Sequence, residues 1–262
     1  MRCFEFDPPS VFNVLSRSLA LRASVVLVAL FALASERARA EEAPAPLATS
    51  AYATQELRGW KLYLHPTLLA EHSETGNRVL ALLDHQLAAI ERRVPEKAVE
   101  QLRTIPIWIE FDEPHHPCMC YHPDAGWLRE NAMNPDKQNC IEIANAENFL
   151  SWTIDQPWMV LHELAHGYHE LFVPDGYENA AVAKALEQAR AKQSYDSVRH
   201  VNGSKVRHYA LTNPMEYFAE GTEAYFGTND FFPFVRTELE THDPELCRVL
   251  ADVWGVEAAP SE

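Results

Sequence analysis

The chain has 262 residues, with 22 lysines and arginines against 38 aspartates and glutamates, so its net charge at pH 7 is −16. So acidic a protein repels the phosphates of nucleic acids and of anionic membranes, and we expect neither as a partner. Residues 1–40 carry five arginines and three acids; without them the net charge becomes −18, and the remaining residues suffice for one well-cored domain.

The first forty residues have the pattern of a signal peptide. Arg17 and Arg22 precede an apolar run at 23–34, which is followed by the small-residue cleavage pattern Ala-Arg-Ala at 38–40. We therefore predict export, to a secreted or periplasmic location. An uncleaved membrane anchor is the alternative. No later apolar run is long enough to span a bilayer, so we expect no stable membrane association after cleavage.

The rest of the chain is predicted to form a flexible leader at 41–55, rich in Ala, Pro and Thr, and one domain at 56–262. Apolar spacing and turn residues indicate a mixture of helices and strands in that domain. Helices are expected at 75–94, 95–103 and 177–194, strands at 60–64, 105–111 and 140–144, a long loop at 112–139, and a hairpin with an Asn-Gly turn at 198–209.

Four cysteines remain after the signal peptide. Disulfide bonds are expected in an exported protein, and the four cysteines allow three pairings between which the sequence does not choose. The competing interpretation is a second metal site, because three histidines lie beside the first two cysteines. We favour disulfides and leave this cluster outside the predicted metal ligands. The cysteines are Cys118, Cys120, Cys140 and Cys247, and the histidines are His115, His116 and His122.

The pattern H-E-x-x-H is formed by His162, Glu163 and His166. Two histidines four residues apart lie on one face of a helix, so their ring nitrogens can hold one metal ion. Glu163 can polarise a metal-bound water. The alternative is a buried helix that carries two histidines by accident. The motif favours a zinc site. By analogy of position with zincin peptidases, which this motif resembles, strand 140–144 just before the helix is the candidate edge strand for an extended substrate.

A second helix can supply a third ligand. Asn213 is a good N-cap, and Pro214 suits the first helical position. Glu216 and Glu220 are four residues apart and point the same way, so one can coordinate zinc while the other accepts the free ring N–H of a ligand histidine. A solvated acidic face is the alternative for this pair, and for Glu223 we predict exposure to solvent.

These two motifs resemble the gluzincin class of zinc peptidases, in which H-E-x-x-H is followed by a helix that carries a glutamate ligand. The run E-Y-F-A-E at 216–220 is similar to the third-ligand helix of the anthrax lethal factor catalytic domain. The wider segment 207–234 resembles a group of secreted metallopeptidase-like proteins. The resemblance is confined to two blocks and covers a minority of the chain.

The resemblance implies that His162, His166 and Glu216 bind one Zn²⁺ per chain and that Glu163 is the general base. It also implies that Tyr209, seven residues before the ligand glutamate, stabilises the oxyanion or the leaving group. The implied fold is α+β: a zincin-like domain with a small mixed sheet, the motif helix and a second helix that carries the glutamate ligand.

Two further residues are predicted to lie around the ligands. The resemblance implies that Glu220 does not bind the metal itself but holds a ligand residue in place through a contact outside the metal's own ligands. His169 is expected behind the ligands, at the pocket rim or as a polar residue at the helix end. The three-histidine metzincin pattern needs glycine at 169 and histidine at 172, where this chain has His169 and Phe172, so that class is excluded. An aspzincin-like ligand set is weak, because Ala224 stands where it needs aspartate.

The predicted function is a secreted zinc metallopeptidase that hydrolyses peptide bonds through a metal-activated water. The expected partner is a peptide or protein substrate, and we expect a monomer. One alternative is a zinc amide hydrolase of narrow specificity, for example for cell-wall peptides. The other is a non-catalytic zinc-binding module, against which the intact Glu163 argues, since such a module has no use for a general base.

Overall fold

A computed structural model describes residues 45–256 of the chain; the predicted signal peptide lies outside the described residues. This part contains ten α-helices, a five-stranded mixed sheet and a two-stranded hairpin, which confirms the α+β class. The helices are α1 (Pro66–Ala70), α2 (Ser73–Arg93), α3 (Glu96–Leu102), α4 (Ala125–Glu130), α5 (Ala146–Trp152), α6 (Met159–Phe172), α7 (Ala180–Lys192), α8 (Pro214–Phe226), α9 (Arg236–His242) and α10 (Pro244–Trp254). The strands are β1 (Ala53–Leu57), β2 (Trp60–Leu64), β3 (Ile107–Ile109), β4 (Met119–His122), β5 (Cys140–Ile143), β6 (Val198–Arg199) and β7 (Lys205–Val206).

The sheet has the strand order β1-β2-β3-β5-β4. β2, β3 and β5 are parallel, whereas β4 runs antiparallel to β5 and forms the edge of the sheet. The prediction that 140–144 is an edge strand is therefore wrong, because β5 lies between β3 and β4. The predicted loop at 112–139 is wrong in the same region, since it contains β4 and α4. All four β4 residues are buried, so the strand has no alternation of apolar and polar residues to reveal it.

The predicted leader at 41–55 also needs correction at its end. β1 begins at Ala53 and pairs antiparallel with β2. The preceding Tyr52 is buried, and its hydroxyl donates a hydrogen bond of 2.7 Å to Glu110 Oε1. The last residues of the segment therefore belong to the folded domain.

Helix α6 packs directly on the sheet at a glycine. A Cβ atom at Gly167 would lie 2.7 Å from Ile105 Cδ1 and 2.9 Å from the ring of Tyr121. Only a residue without a side chain allows this close approach of the helix to β4. On its other side α6 packs along α8, so the motif helix lies between the sheet and the helix that carries the glutamates.

The described residues contain no disulfide bond, so the disulfide prediction is wrong for them. Three of the four sulfurs lie beside different neighbours. Cys118 donates to Met159 Sδ at 3.4 Å, and Cys140 donates to the carbonyl of Gln138 at 3.3 Å. The sulfur of Cys120 lies 3.5 Å from a ring nitrogen of the nearby His122. Among the described helices, none is long and apolar enough to cross a bilayer.

Candidate metal centre

The two motif histidines of α6 direct their ring nitrogens toward each other. His162 Nε2 and His166 Nε2 are 3.1 Å apart, and both residues are buried. Their spacing of four places them on one face of the helix. The helix brings both rings to a cleft of about 460 Å³ including its open mouth.

Helix α8 brings a carboxylate to the same point. Asn213 caps the helix, since its side-chain oxygen accepts a hydrogen bond of 2.8 Å from the backbone N–H of Glu216, as the N-cap prediction implies. Glu216 Oε2 lies 3.2 Å from His162 Nε2 and 3.6 Å from His166 Nε2. The predicted set of His162, His166 and Glu216 is therefore brought together around one small volume.

The spacing of these three atoms fits a metal ion. The distances of 3.1, 3.2 and 3.6 Å define a triangle with a circumradius of about 1.9 Å, just below the 2.0–2.1 Å of zinc–nitrogen bonds. Glu216 Oε2 is also a buried oxygen that makes no hydrogen bond to the described residues. Its only close charged neighbours among the described residues are the two imidazole rings, and a buried carboxylate in that position favours a cation beside it, either a proton on a ring or a metal ion.

The electrostatics of the site favour a positive charge. Burial by itself lowers the pKa of His162, but Glu216 and Glu223 outweigh burial and raise it to about 10. Burial raises the pKa of Glu216, and the rings of His166 and His162 outweigh it and hold that pKa well below its usual range. The carboxylates therefore stabilise any cation at this position, whether a proton or a metal.

Glu223 was predicted to face solvent, and this prediction is wrong. Its side chain is 1% exposed, and Oε1 lies 2.7 Å from His162 Nδ1. At about 100° per residue, Glu223 lies about 20° around α8 from Glu216, whereas Glu220 lies about 40° away on the other side. Glu223 is therefore the carboxylate that contacts the Nδ1 side of the His162 ring, a position that the sequence analysis had predicted for Glu220.

Glu220 is buried, but its carboxylate makes its hydrogen bond away from His162. Its Oε1 lies 3.8 Å from His162 Nδ1, beyond hydrogen-bonding distance. Its Oε2 accepts a hydrogen bond of 2.7 Å from the side-chain amide of Asn229, which also donates to the Glu220 carbonyl. These contacts join the middle of α8 to the loop that follows the helix.

Glu163 faces the cleft. It is half-buried, and Oε2 accepts a hydrogen bond of 2.9 Å from the backbone N–H of Tyr121 on the edge strand β4. Tyr209 also lines the cleft, from a short 3₁₀ turn at Tyr209–Leu211 rather than from the predicted strand end. The walls of the cleft also include side chains that were not predicted from the sequence to belong to the site, among them Met119 and Trp152.

His169 does not lie on the rim of the cleft. It is fully buried, with its ring 4.5 Å from that of Phe218 and 5.2 Å from that of Tyr177. Burial and the neighbouring His166 lower its pKa to about 3, so the ring is uncharged at neutral pH. Its place is in the packing between α6 and α8, behind the ligands.

No protein-family model, curated protein or solved structure matches the chain.

Proposed function

We propose that the chain is a zinc-dependent peptidase of the gluzincin type, with a zincin-like domain built from the sheet, α6 and α8. One observation carries the proposal: donor atoms of His162, His166 and Glu216 converge within 3.1–3.6 Å, and Glu163 faces the same cleft. Two imidazoles and one carboxylate are a donor set of catalytic zinc sites, which keep a position open for water or substrate.

The metal would lower the pKa of a water and polarise the carbonyl of the scissile bond. Glu163 is the group of this chain that accepts the water proton and returns it to the leaving amine. The backbone N–H of Tyr121 holds Glu163 Oε2, so the proton is carried by Oε1. Tyr209 lies in the cleft, where its hydroxyl can donate to a developing oxyanion.

The edge strand β4 offers a binding site for an extended peptide. The strand pairing turns the backbone groups of Cys120 toward β5, so those of Met119 and Tyr121 point away from the sheet. The Tyr121 N–H meets Glu163, and this places the outer edge of β4 directly beside the candidate base. A peptide that adds to this edge as a further strand would pass its backbone over the metal centre.

The test compares zinc content and peptide hydrolysis in the zinc-loaded wild type and three variants, with a library of fluorescence-quenched peptides as substrates. We expect Glu163→Gln to keep zinc and to lower turnover by about 10² to 10⁴-fold. Glu216→Ala should lose both zinc and activity. Glu187→Gln, an exposed residue on α7, is the matched control and should change neither.

Full turnover in Glu163→Gln would overturn the assignment of the base. Unchanged zinc content in Glu216→Ala would overturn the ligand set. A zinc-loaded wild type that cleaves no member of the library would overturn the peptidase assignment. Export of the chain and its monomeric state stay predictions.

A further inference from the structure

A second group of metal-binding side chains lies on the other face of the edge strand. Residues alternate between the two faces of a strand, so Cys120 and His122 point away from the face on which Tyr121 packs against α6. His116, from the segment before β4, joins them, and donor atoms of the three residues all lie within 4.8 Å of one another. All three side chains are buried.

The spacing of Cys120 and His122 fits a metal ion bound by sulfur and nitrogen. Cys120 Sγ lies 3.5 Å from His122 Nε2. Two ligands at zinc–sulfur and zinc–nitrogen distances of 2.3 and 2.0–2.1 Å in a tetrahedral site are separated by about 3.5 Å. Thiolate and imidazole are the donors that zinc and other borderline to soft transition metals prefer.

The charge around the cluster also favours a divalent cation. Lys137 forms ion pairs with two buried carboxylates, Glu110 at 2.8 Å and Glu142. One ammonium and two carboxylates leave one negative charge, and a thiolate formed at Cys120 on metal binding would add a second. Glu142 Oε2 lies 2.6 Å from His122 Nε2. A divalent ion would therefore neutralise this buried region.

We propose that His116, Cys120 and His122 bind a second transition-metal ion, Zn²⁺ by the chemistry of its donors. Binding releases the thiol proton of Cys120 and any proton that His122 shares with Glu142. The nearby carboxylate of Glu142 balances the charge of the ion. The proposed role of this site is structural. The ion fixes β4 from the face opposite the cleft, and the Tyr121 N–H of the same strand holds Glu163. The proposal stands whether or not the first site is catalytic.

The first experiment titrates the metal-free protein with Co²⁺ and Zn²⁺. The wild type should bind two equivalents, and the cobalt form should show a thiolate-to-cobalt charge-transfer band in the near ultraviolet. The first site supplies nitrogen and oxygen donors alone, so this band reports on the second site. The measurement needs no variant and is therefore independent of how well any variant folds.

Variants then assign the two equivalents. Cys120→Ser should bind one equivalent and lose the band, whereas Cys247→Ser, which changes a buried cysteine on α10, should keep two equivalents and the band. His162→Ala should lose one equivalent and keep the band, and this separates a failure of the first site from a failure of the second. A wild type without the band, or a band that persists in Cys120→Ser, would overturn the proposal and leave an ion-pair network of His122, Glu142 and Lys137.

Discussion

Replacing Glu223 with glutamine tests which carboxylate supports the proposed metal ligand His162. When a metal is bound, the buried contact of 2.7 Å between Glu223 Oε1 and His162 Nδ1 would keep a ring proton on Nδ1 and leave the lone pair of Nε2 to the metal. Glutamine keeps an acceptor but removes the charge, and hydrogen bonds to an ionised acceptor are about twice as strong as neutral ones. Loss of such a partner weakens metal binding about 10- to 100-fold, or about 1.4–2.8 kcal/mol.

Because the glutamine oxygen can still accept the ring N–H, we expect Glu223→Gln to lie near the lower limit, at about tenfold. Glu220→Gln is the matched control on the same helix. Its carboxylate is 3.8 Å from His162 Nδ1, so there is no hydrogen bond to lose, and we expect a change in zinc affinity of less than about threefold.

The assay is competition for Zn²⁺ between the metal-free protein and a colorimetric chelator of known affinity. It is performed on wild type, Glu223→Gln and Glu220→Gln, with circular dichroism to confirm that all three are folded. Cys120→Ser serves as the background, so that a second ion does not contribute to the competition curve. An equal or larger effect of Glu220→Gln would refute the geometric reasoning and restore the assignment made from the sequence.

Two further predictions concern the position of β4. Gly167→Ala gains about 1 kcal/mol of helix propensity, but the added methyl group overpacks against Ile105 and Tyr121 at a cost of about 1–3 kcal/mol. We therefore expect denaturant titrations to give a lower free energy of unfolding for this variant. A more stable variant would contradict the close approach of α6 to the sheet. Met119→Pro removes an outward backbone N–H at a sheet edge, where proline is tolerated, and we expect KM for peptides to rise about tenfold at unchanged zinc content. The control Met119→Ala keeps the N–H and should leave KM near that of wild type. Equal KM values for the two variants would contradict strand addition at β4.

The two helices of the metal centre could be predicted because their signals are local. The H-E-x-x-H spacing defines one face of α6 whatever the helix packs against. Asn213 and Pro214 mark the start of α8, and its observed first residue is Pro214. From these two facts follows the convergence of His162, His166 and Glu216, provided that the helices pack side by side.

The role of Glu223 could not be predicted in the same way. The rotation of α8 about its own axis decides whether residue 220 or residue 223 meets His162. That rotation is set by long-range packing: a Cβ at Gly221 would lie 2.7 Å from Leu246 of α10, so α8 presents this side to α10. The sequence did contain one indication of this role: Glu223 is seven residues, or nearly two full turns, after Glu216, and so lies on the same face of the helix. Burial does not distinguish the faces of α8, because all residues from Glu216 to Phe226 are buried.

The edge strand β4 was not predicted from the sequence because its side chains contact two different clusters instead of forming one apolar face. Met119 lines the cleft and Tyr121 packs on Gly167, while Cys120 and His122 face the second cluster. A strand of four residues, with polar donors on one side and contacts to α6 on the other, lacks the apolar pattern by which strands are recognised in a sequence.

The same arrangement places β4 in contact with both clusters, so a metal ion in the second cluster would act on the first through this strand. Its outer backbone touches Glu163, its inner backbone pairs with β5, and its side chains alternate between the two clusters. A shift of this strand by a few tenths of an ångström would change the hydrogen bond from Tyr121 to Glu163 without touching any ligand of the first site. A metal held by Cys120 and His122 resists that shift, so its removal should alter turnover while leaving zinc in the first site. In the predicted exported location, where disulfides commonly stabilise such segments, a thiolate–metal site would give this edge strand the cross-link that the cysteines do not form as disulfides.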